Sequence, residues 1–164
     1  MDLQTELATT YQHLEQLRKR AVEEKRTQLK AQLDEAQKEA RKFRDQTVKL
    51  KGEFFRLQDV AAQHDEACAK IEARLVDLAQ TVAKEDFPTA AETERWARER
   101  TRLEAALHAA RQQRGQAKEA RERARDEALK ADAVYVRWAY VAQNAKNQLA
   151  ALAEGGKQGG VFRV

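Results

Sequence analysis

Residues 29–82 read LKAQLDEAQKEARKFRDQTVKLKGEFFRLQDVAAQHDEACAKIEARLVDLAQTV. Apolar or small residues recur in this stretch at alternating steps of four and three, and only Thr47 and His64 are polar. A sustained spacing of about 3.5 residues predicts a helix that packs in a left-handed coiled coil. We call these positions the first seam: Leu29, Leu33, Ala36, Ala40, Phe43, Thr47, Leu50, Phe54, Leu57, Ala61, His64, Cys68, Ile71, Leu75, Leu78 and Val82.

The sequence Lys84-Glu85-Asp86-Phe87-Pro88 interrupts this pattern. Pro88 has no amide proton and disfavours helix at the residue before it. Thr89 and Glu92 then have the spacing of a capping box, which marks the start of a helix. We therefore predict helix 1 over about residues 3–85, a turn at 86–89 and helix 2 over about 90–153. Such a short link favours antiparallel neighbours.

Helix 2 carries a second series with the same spacing, which is rich in alanine and contains three arginines. We call it the second seam: Trp96, Arg100, Leu103, Leu107, Ala110, Arg114, Ala117, Arg121, Ala124, Ala128, Ala131, Tyr135, Trp138, Ala142, Ala145, Leu149 and Leu152. The predicted fold is all-α, a long two-helix antiparallel coiled-coil hairpin with unequal helices. Gly155 and Gly156 are expected to end helix 2, and residues 154–164 to form a flexible Gly-rich tail.

The first 20 or so residues are expected to extend beyond helix 2. Folding about Pro88 pairs residues whose numbers sum to about 174, so a helix ending near residue 153 leaves them uncovered. An exposed apolar stripe at helical spacing suits binding to a groove on another protein. The alternatives are a frayed end or coverage by the C-terminal tail. The candidate partner-binding residues here are Leu3, Leu7, Leu14 and Leu17, with Tyr11 on the flank and the basic Arg18, Lys19 and Arg20.

A second candidate contact is Tyr140 in the sequence VYVRWAYVAQ, residues 134–143. Tyr135 and Trp138 lie on the second seam, which favours core packing for both. Tyr140 and Val134 lie off the seam, so this segment is apolar on more than one face. We interpret Tyr140 as part of a further contact surface or a place where hairpins associate.

The charge pattern is uneven along helix 1. Residues 18–51 hold 12 basic and 6 acidic residues, whereas residues 59–94 hold 3 basic and 9 acidic residues. We therefore expect an acidic turn end and a basic open end, which a charged partner could orient. The alternative is a solvated surface with many ion pairs between successive turns.

Composition argues against catalysis and against a cofactor. Charged residues make up 35% of the chain and aromatic residues 6%, which is typical of a long coiled coil. The chain has no serine and a single cysteine, so a serine nucleophile and an internal disulfide are excluded. His64, Cys68 and His108 fall short of the four ligands usual for zinc. We predict no catalytic residues, no metal, no cofactor, no small-molecule substrate and no enzymatic activity.

Nucleic acid and membrane are the less favoured partners. The Arg-rich stretches at residues 18–26 and 121–130 are interleaved with acidic residues and match no recognition module. No apolar run approaches the roughly 18 residues that span a bilayer. The N-terminal sequence MDLQTELATT has neither the basic nor the apolar region of a signal peptide. We expect a cytoplasmic protein without membrane insertion.

A charged, Ala/Arg-rich antiparallel hairpin of this size, with stretches such as Ala105-Ala106-Leu107-His108-Ala109-Ala110-Arg111, resembles the FliJ/YscO-type stalk proteins. These belong to bacterial flagellar and virulence type III secretion systems, and the Hrp-like members of plant pathogens are similar in composition. The resemblance covers residues 1 to about 153 and is carried by architecture and composition, with no diagnostic motif.

The resemblance implies a non-enzymatic stalk or adaptor that couples a hexameric secretion ATPase to the export gate. It also implies binding of secretion chaperones, a role in virulence and protein transport, and a peripheral location at the inner membrane. Two alternatives stay open: a structural coiled coil that self-assembles as a homo-oligomer, and a nucleic-acid-binding coiled coil.

Overall fold

The computed structural model describes residues 2–158, with side-chain exposure for residues 2–156. It contains two helices, α1 (Leu3–Lys84) and α2 (Ala90–Gln158), which pack against each other. The described residues contain no strand. The predicted all-α helical hairpin is confirmed.

The turn has the predicted chemistry. The backbone N–H of Thr89 donates to Glu92 Oε2 at 3.0 Å, and the backbone N–H of Glu92 donates to Thr89 Oγ1 at 3.2 Å. These two bonds form the capping box that satisfies donors left open at a helix start. They explain why α2 begins at Ala90, directly after Pro88 and Thr89.

The hairpin divides into two compact units, each built from part of α1 and part of α2. Unit 1 comprises Met1–Gln46 with Lys130–Val164, and unit 2 comprises Thr47–Leu129. In unit 2, Cys68 packs with Leu107 and Ala110, and Ile71 and Leu75 pack against this cluster. The predicted register places Cys68 opposite residue 106, so the observed partners lie within about one helical turn of it.

In unit 1, the buried residues of α1 include Leu29 and Ala36, and those of α2 include Ala131, Ala142 and Ala145. The larger seam residues of the unit, among them Leu33, Phe43, Tyr135 and Trp138, are partly buried. Small residues on α2 let the two helix backbones approach closely while bulky side chains fill the space between them. The alanine-rich second seam is thus a packing feature of the hairpin.

Burial follows both seams over most of their length. Every first-seam position from Leu29 to Leu78 is buried or partly buried, as is every second-seam position from Leu103 to Leu152. The seam predictions are wrong at Val82 and Arg100, which are exposed near the turn. Arg100 Nε instead donates to Glu104 Oε1 at 2.8 Å on the surface of its own helix.

Three ion pairs join α1 to α2 in unit 2. Arg111 lies 3.1 Å from Glu72, while Arg114 and Lys118 lie 3.6 and 3.3 Å from Asp65. Their side chains are about one-third to one-half exposed, so each pair contributes only about 0–1 kcal/mol. Full burial of one leucine contributes about 1.5–3 kcal/mol. The apolar seams therefore stabilise the pairing more than the charges do.

The predicted end of helix 2 near residue 153 is wrong, because α2 continues to Gln158. A glycine that ends a helix usually adopts a positive φ. None of the described glycines does so, and Gly155 and Gly156 remain helical. The predicted tail therefore loses residues 154–158 to the helix, and its remainder, 159–164, lies outside the described residues.

Gly115 in α2 offers a test of helix stability that leaves packing unchanged. A Cβ added at Gly115 would meet no atom within 4 Å. We expect Gly115→Ala to raise the free energy of unfolding by about 1 kcal/mol, because glycine is that much poorer than alanine inside a helix. Urea unfolding followed by circular dichroism measures the change. The reciprocal Ala109→Gly, at an exposed position of α2, should lower it similarly, and a destabilising Gly115→Ala would contradict the expectation.

Candidate protein-binding surface

The N-terminal segment, defined as residues 2–25, is helical from Leu3 onward and exposed at every position. The Asp2 carbonyl accepts a bond from the Thr5 N–H at 2.9 Å, which anchors the first turn. The hydroxyls of Thr9 and Thr10 donate to the carbonyls of Thr5 and Glu6 at 2.8 Å. The segment is therefore a formed helix whose side chains are uncovered.

Four leucines form one stripe on this segment, which we call the leucine stripe. Leu3, Leu7, Leu14 and Leu17 are 74%, 52%, 48% and 45% exposed. Leu29, the first buried position of the seam, is 4% exposed. Spacings of four, seven and three residues place the four leucines on one helix face. The predicted lack of cover is thus observed, whereas partner binding by these residues stays a prediction.

Polar and aromatic residues flank the leucine stripe. Tyr11 follows Leu7 by four residues and is 71% exposed, and Arg18 follows Leu14 by the same spacing. Lys19 Nζ lies 3.4 Å from Glu15 Oε1, and Arg20 is exposed beside it. An apolar stripe with one aromatic edge and a basic end has the composition of a helix that docks into a complementary groove.

The covered part of the hairpin begins immediately after this segment. Arg26 is the first partly buried residue of α1, and Leu152 is the last partly buried residue among those of α2 with described side chains. Leu17, Ala21, Lys25 and Leu29 follow one another in steps of four and connect the leucine stripe to the first seam. α1 runs through these positions without interruption.

Tyr140 is not part of the same surface. It lies in the α2 part of unit 1, is 73% exposed, and is separated from Leu152 by eleven residues. Exposed Val136 lies four residues before it on the same helix face, whereas Val134 is partly buried. The leucine stripe and Tyr140 are therefore separate candidate contacts.

A cleft near the turn was not predicted from the sequence. It has a volume of about 830 Å³, and its lining includes Leu75, Leu78, Val82 and Trp96. These are seam residues, but the helices do not close over them. The available signal in the sequence was Arg100, because an arginine at the second seam position after the turn cannot fill an apolar layer.

Charge is balanced over unit 2 as a whole. The unit contains 16 basic and 16 acidic residues, so the acidic stretch at residues 59–94 is offset by basic residues elsewhere in the same unit. The acidic stretch of α1 faces arginine and lysine residues of α2, as the pairs at Glu72 and Asp65 illustrate. The net charge of +4 arises in unit 1, which contains the leucine stripe.

The chemistry of the described side chains is that of a helix surface. His108 is exposed and Cys68 is buried among apolar neighbours, and no group of three potential metal ligands occurs within residues 2–158. A hydrogen bond from the exposed Arg56 lowers the pKa of Glu53, which lies one helical turn away. Within the described part of the chain, neither helix has an apolar stretch long enough to cross a membrane.

The candidate binding residues form two apolar surfaces, of which the leucine stripe is the larger. It is a continuous helical face, whereas Tyr140 and Val136 form a smaller patch on α2. We found no match to this chain among protein families, characterised proteins or solved structures.

Proposed function

We propose that this chain is a non-enzymatic stalk or adaptor of a bacterial type III secretion apparatus that couples its hexameric ATPase to the export gate. The observation that carries the proposal is the leucine stripe, an apolar face on a formed helix that α2 leaves uncovered. The resemblance to FliJ/YscO-type proteins supplies the identity of the machine.

The stripe has properties that favour binding. Its four leucines are about half exposed or more, so a groove that covers them would gain on the order of 1 kcal/mol from each. The segment is already helical, so little backbone entropy is lost on docking. The apolar contact and the small entropy loss together favour a specific complex that involves only a short segment of the chain.

A stalk of this kind would act by asymmetric contact. One helix inside a ring of six subunits contacts each subunit differently, so it favours different subunit conformations around the ring. The excess positive charge of unit 1 would strengthen binding to an acidic lining. The exposed Tyr140 supplies a second contact for the export-gate protein or for a secretion chaperone, at the cytoplasmic face of the inner membrane.

The proposal is tested by binding to the purified secretion ATPase of the same organism. We expect a triple variant with Leu7→Gln, Leu14→Gln and Leu17→Gln to bind at least tenfold more weakly than the parent, because glutamine removes the apolar face but retains helix propensity. The matched control replaces three exposed apolar residues away from the stripe and from Tyr140, with Val48→Gln, Val76→Gln and Leu129→Gln.

The control variant should bind as the parent does, and circular dichroism should show equal helix content in all three proteins. A parent chain that fails to bind the ATPase would count against the secretion role. Equal binding by the parent and the stripe variant would show that the contact lies elsewhere.

A further inference from the structure

The leucine stripe is complementary to itself when two copies run in opposite directions. We propose that, in the absence of another partner, a second copy of this chain covers it, and the two N-terminal segments form an antiparallel two-helix dimer. This inference is independent of the secretion role, because it depends only on residues 2–25 and requires no other protein.

The apolar layers match in this orientation. A register that places Leu3 of one copy against Ala21 of the other also places Leu7 against Leu17 and Thr10 against Leu14. Each pair occurs twice by symmetry, which gives six layers with a leucine in every one. Leu3, the largest exposed surface of the stripe, meets the small Ala21, so the layers alternate in size as packed helices require.

Charge selects this orientation over the parallel one. In the antiparallel register Glu6 of each copy lies beside Arg20 of the other, which gives two attractive pairs. A parallel dimer would instead place Arg20 beside Lys25 of the second copy and bring the two Arg18-Lys19-Arg20 clusters to the same level. Charged residues that flank the apolar layers set helix orientation in coiled coils in this way.

The side chains that form the proposed layers are available to a second copy. The layers end at Ala21, every residue from 3 to 21 is exposed, and the first partly buried residue of α1 is Arg26. The N-terminal segment of the second copy therefore packs on a face of α1 that is not buried within the hairpin. Six layers are fewer than in stable long coiled coils, so we expect a dissociation constant in the micromolar range.

The first test is the mass of the full chain by sedimentation equilibrium over a range of concentrations, alone in buffer of low ionic strength. We expect a monomer–dimer equilibrium. Glu6→Arg and Arg20→Glu should each weaken the dimer about tenfold, and the double variant should restore it because the pair is re-formed with reversed signs. Lys19→Glu, on the opposite face, should have a much smaller effect on the dissociation constant.

The second test is oxidation of single-cysteine variants, since Cys68 is 1% exposed and does not compete. A mixture of Leu7→Cys and Leu17→Cys chains should cross-link to the mixed dimer, whereas neither variant alone should do so efficiently. A strict monomer at the highest attainable concentration overturns the proposal. So does preferential cross-linking of Leu7→Cys to itself, which reports a parallel pair, or a double variant that fails to restore the dimer. None of these outcomes involves the ATPase, so they are distinct from failure of the proposed function.

Discussion

Replacing Leu107 by alanine is expected to lower the free energy of unfolding by about 3 kcal/mol. Leu107 is 8% exposed and packs with Cys68 and Ala110 in unit 2. The substitution removes three buried carbon atoms and leaves a cavity, which together cost about 2–5 kcal/mol in protein cores. The cluster cannot collapse easily onto the gap, because Cys68 on α1 and Ala110 on α2 are small and fixed on their helices.

Leu129→Ala is the matched control, because it makes the same change on the same helix and within the same unit. Leu129 is 59% exposed, so its truncation should change the free energy of unfolding by less than about 0.5 kcal/mol. Urea unfolding followed by circular dichroism at several wavelengths measures the free energy of unfolding of both variants. If the two substitutions had equal effects, the packing around Cys68 would not be the source of stability in unit 2.

The period of the first seam made the fold predictable. A spacing of 3.5 residues from Leu29 to Leu78 identified the buried face of α1 position by position, and a single proline with its capping box fixed the turn. These features are local or periodic, so the prediction at each position is supported by residues close to it in the sequence. The same reasoning located the second seam even though alanine supplies most of its buried positions.

The features that could not be predicted depend on how the two helices meet. The separation of the helices around Val82 and Trp96 is set by the turn and by the size of opposing side chains, neither of which appears in the heptad pattern. The neutral charge of unit 2 appears only when α1 and α2 are considered together. The continuation of α2 through Gly155 and Gly156 shows that paired glycines permit a helix end without requiring it.

The exposed N-terminal segment was predictable for a different reason, because it follows from helix lengths. α1 has 82 residues and α2 has 69 residues, so at least 13 residues of α1 have no counterpart in α2, and the first partly buried residue of α1 is Arg26. The exposed face of this part of α1 is apolar, whereas a helix that only extends the hairpin could be polar on all sides. What binds this face depends on a molecule outside the chain, so the sequence locates the surface and leaves its occupant to experiment.

Ala36→Glu is expected to destabilise unit 1 by about 3–5 kcal/mol at pH 7. Ala36 is 0% exposed, and the α2 residues buried in the same unit include Ala142 and Ala145. A carboxylate at position 36 would be larger than the space available and would have to leave water without a charged partner, for which the cost is of this order. Glutamate is a good helix former, so helix propensity contributes only a few tenths of a kcal/mol.

Ala31→Glu is the control for this substitution, since residue 31 is exposed on the same helix, and its effect should stay within about 0.5 kcal/mol. The pH dependence separates charge from size. Burial raises the pKa of a carboxyl group at position 36 above its unfolded value of about 4.3, because burial disfavours the charged form. The loss in free energy of unfolding relative to the parent should therefore be full at pH 7 and shrink as the pH falls through the raised folded pKa towards 4.3, below which the group becomes neutral in both states. A deficit of equal size at both pH values would mean that steric crowding alone opposes the substitution.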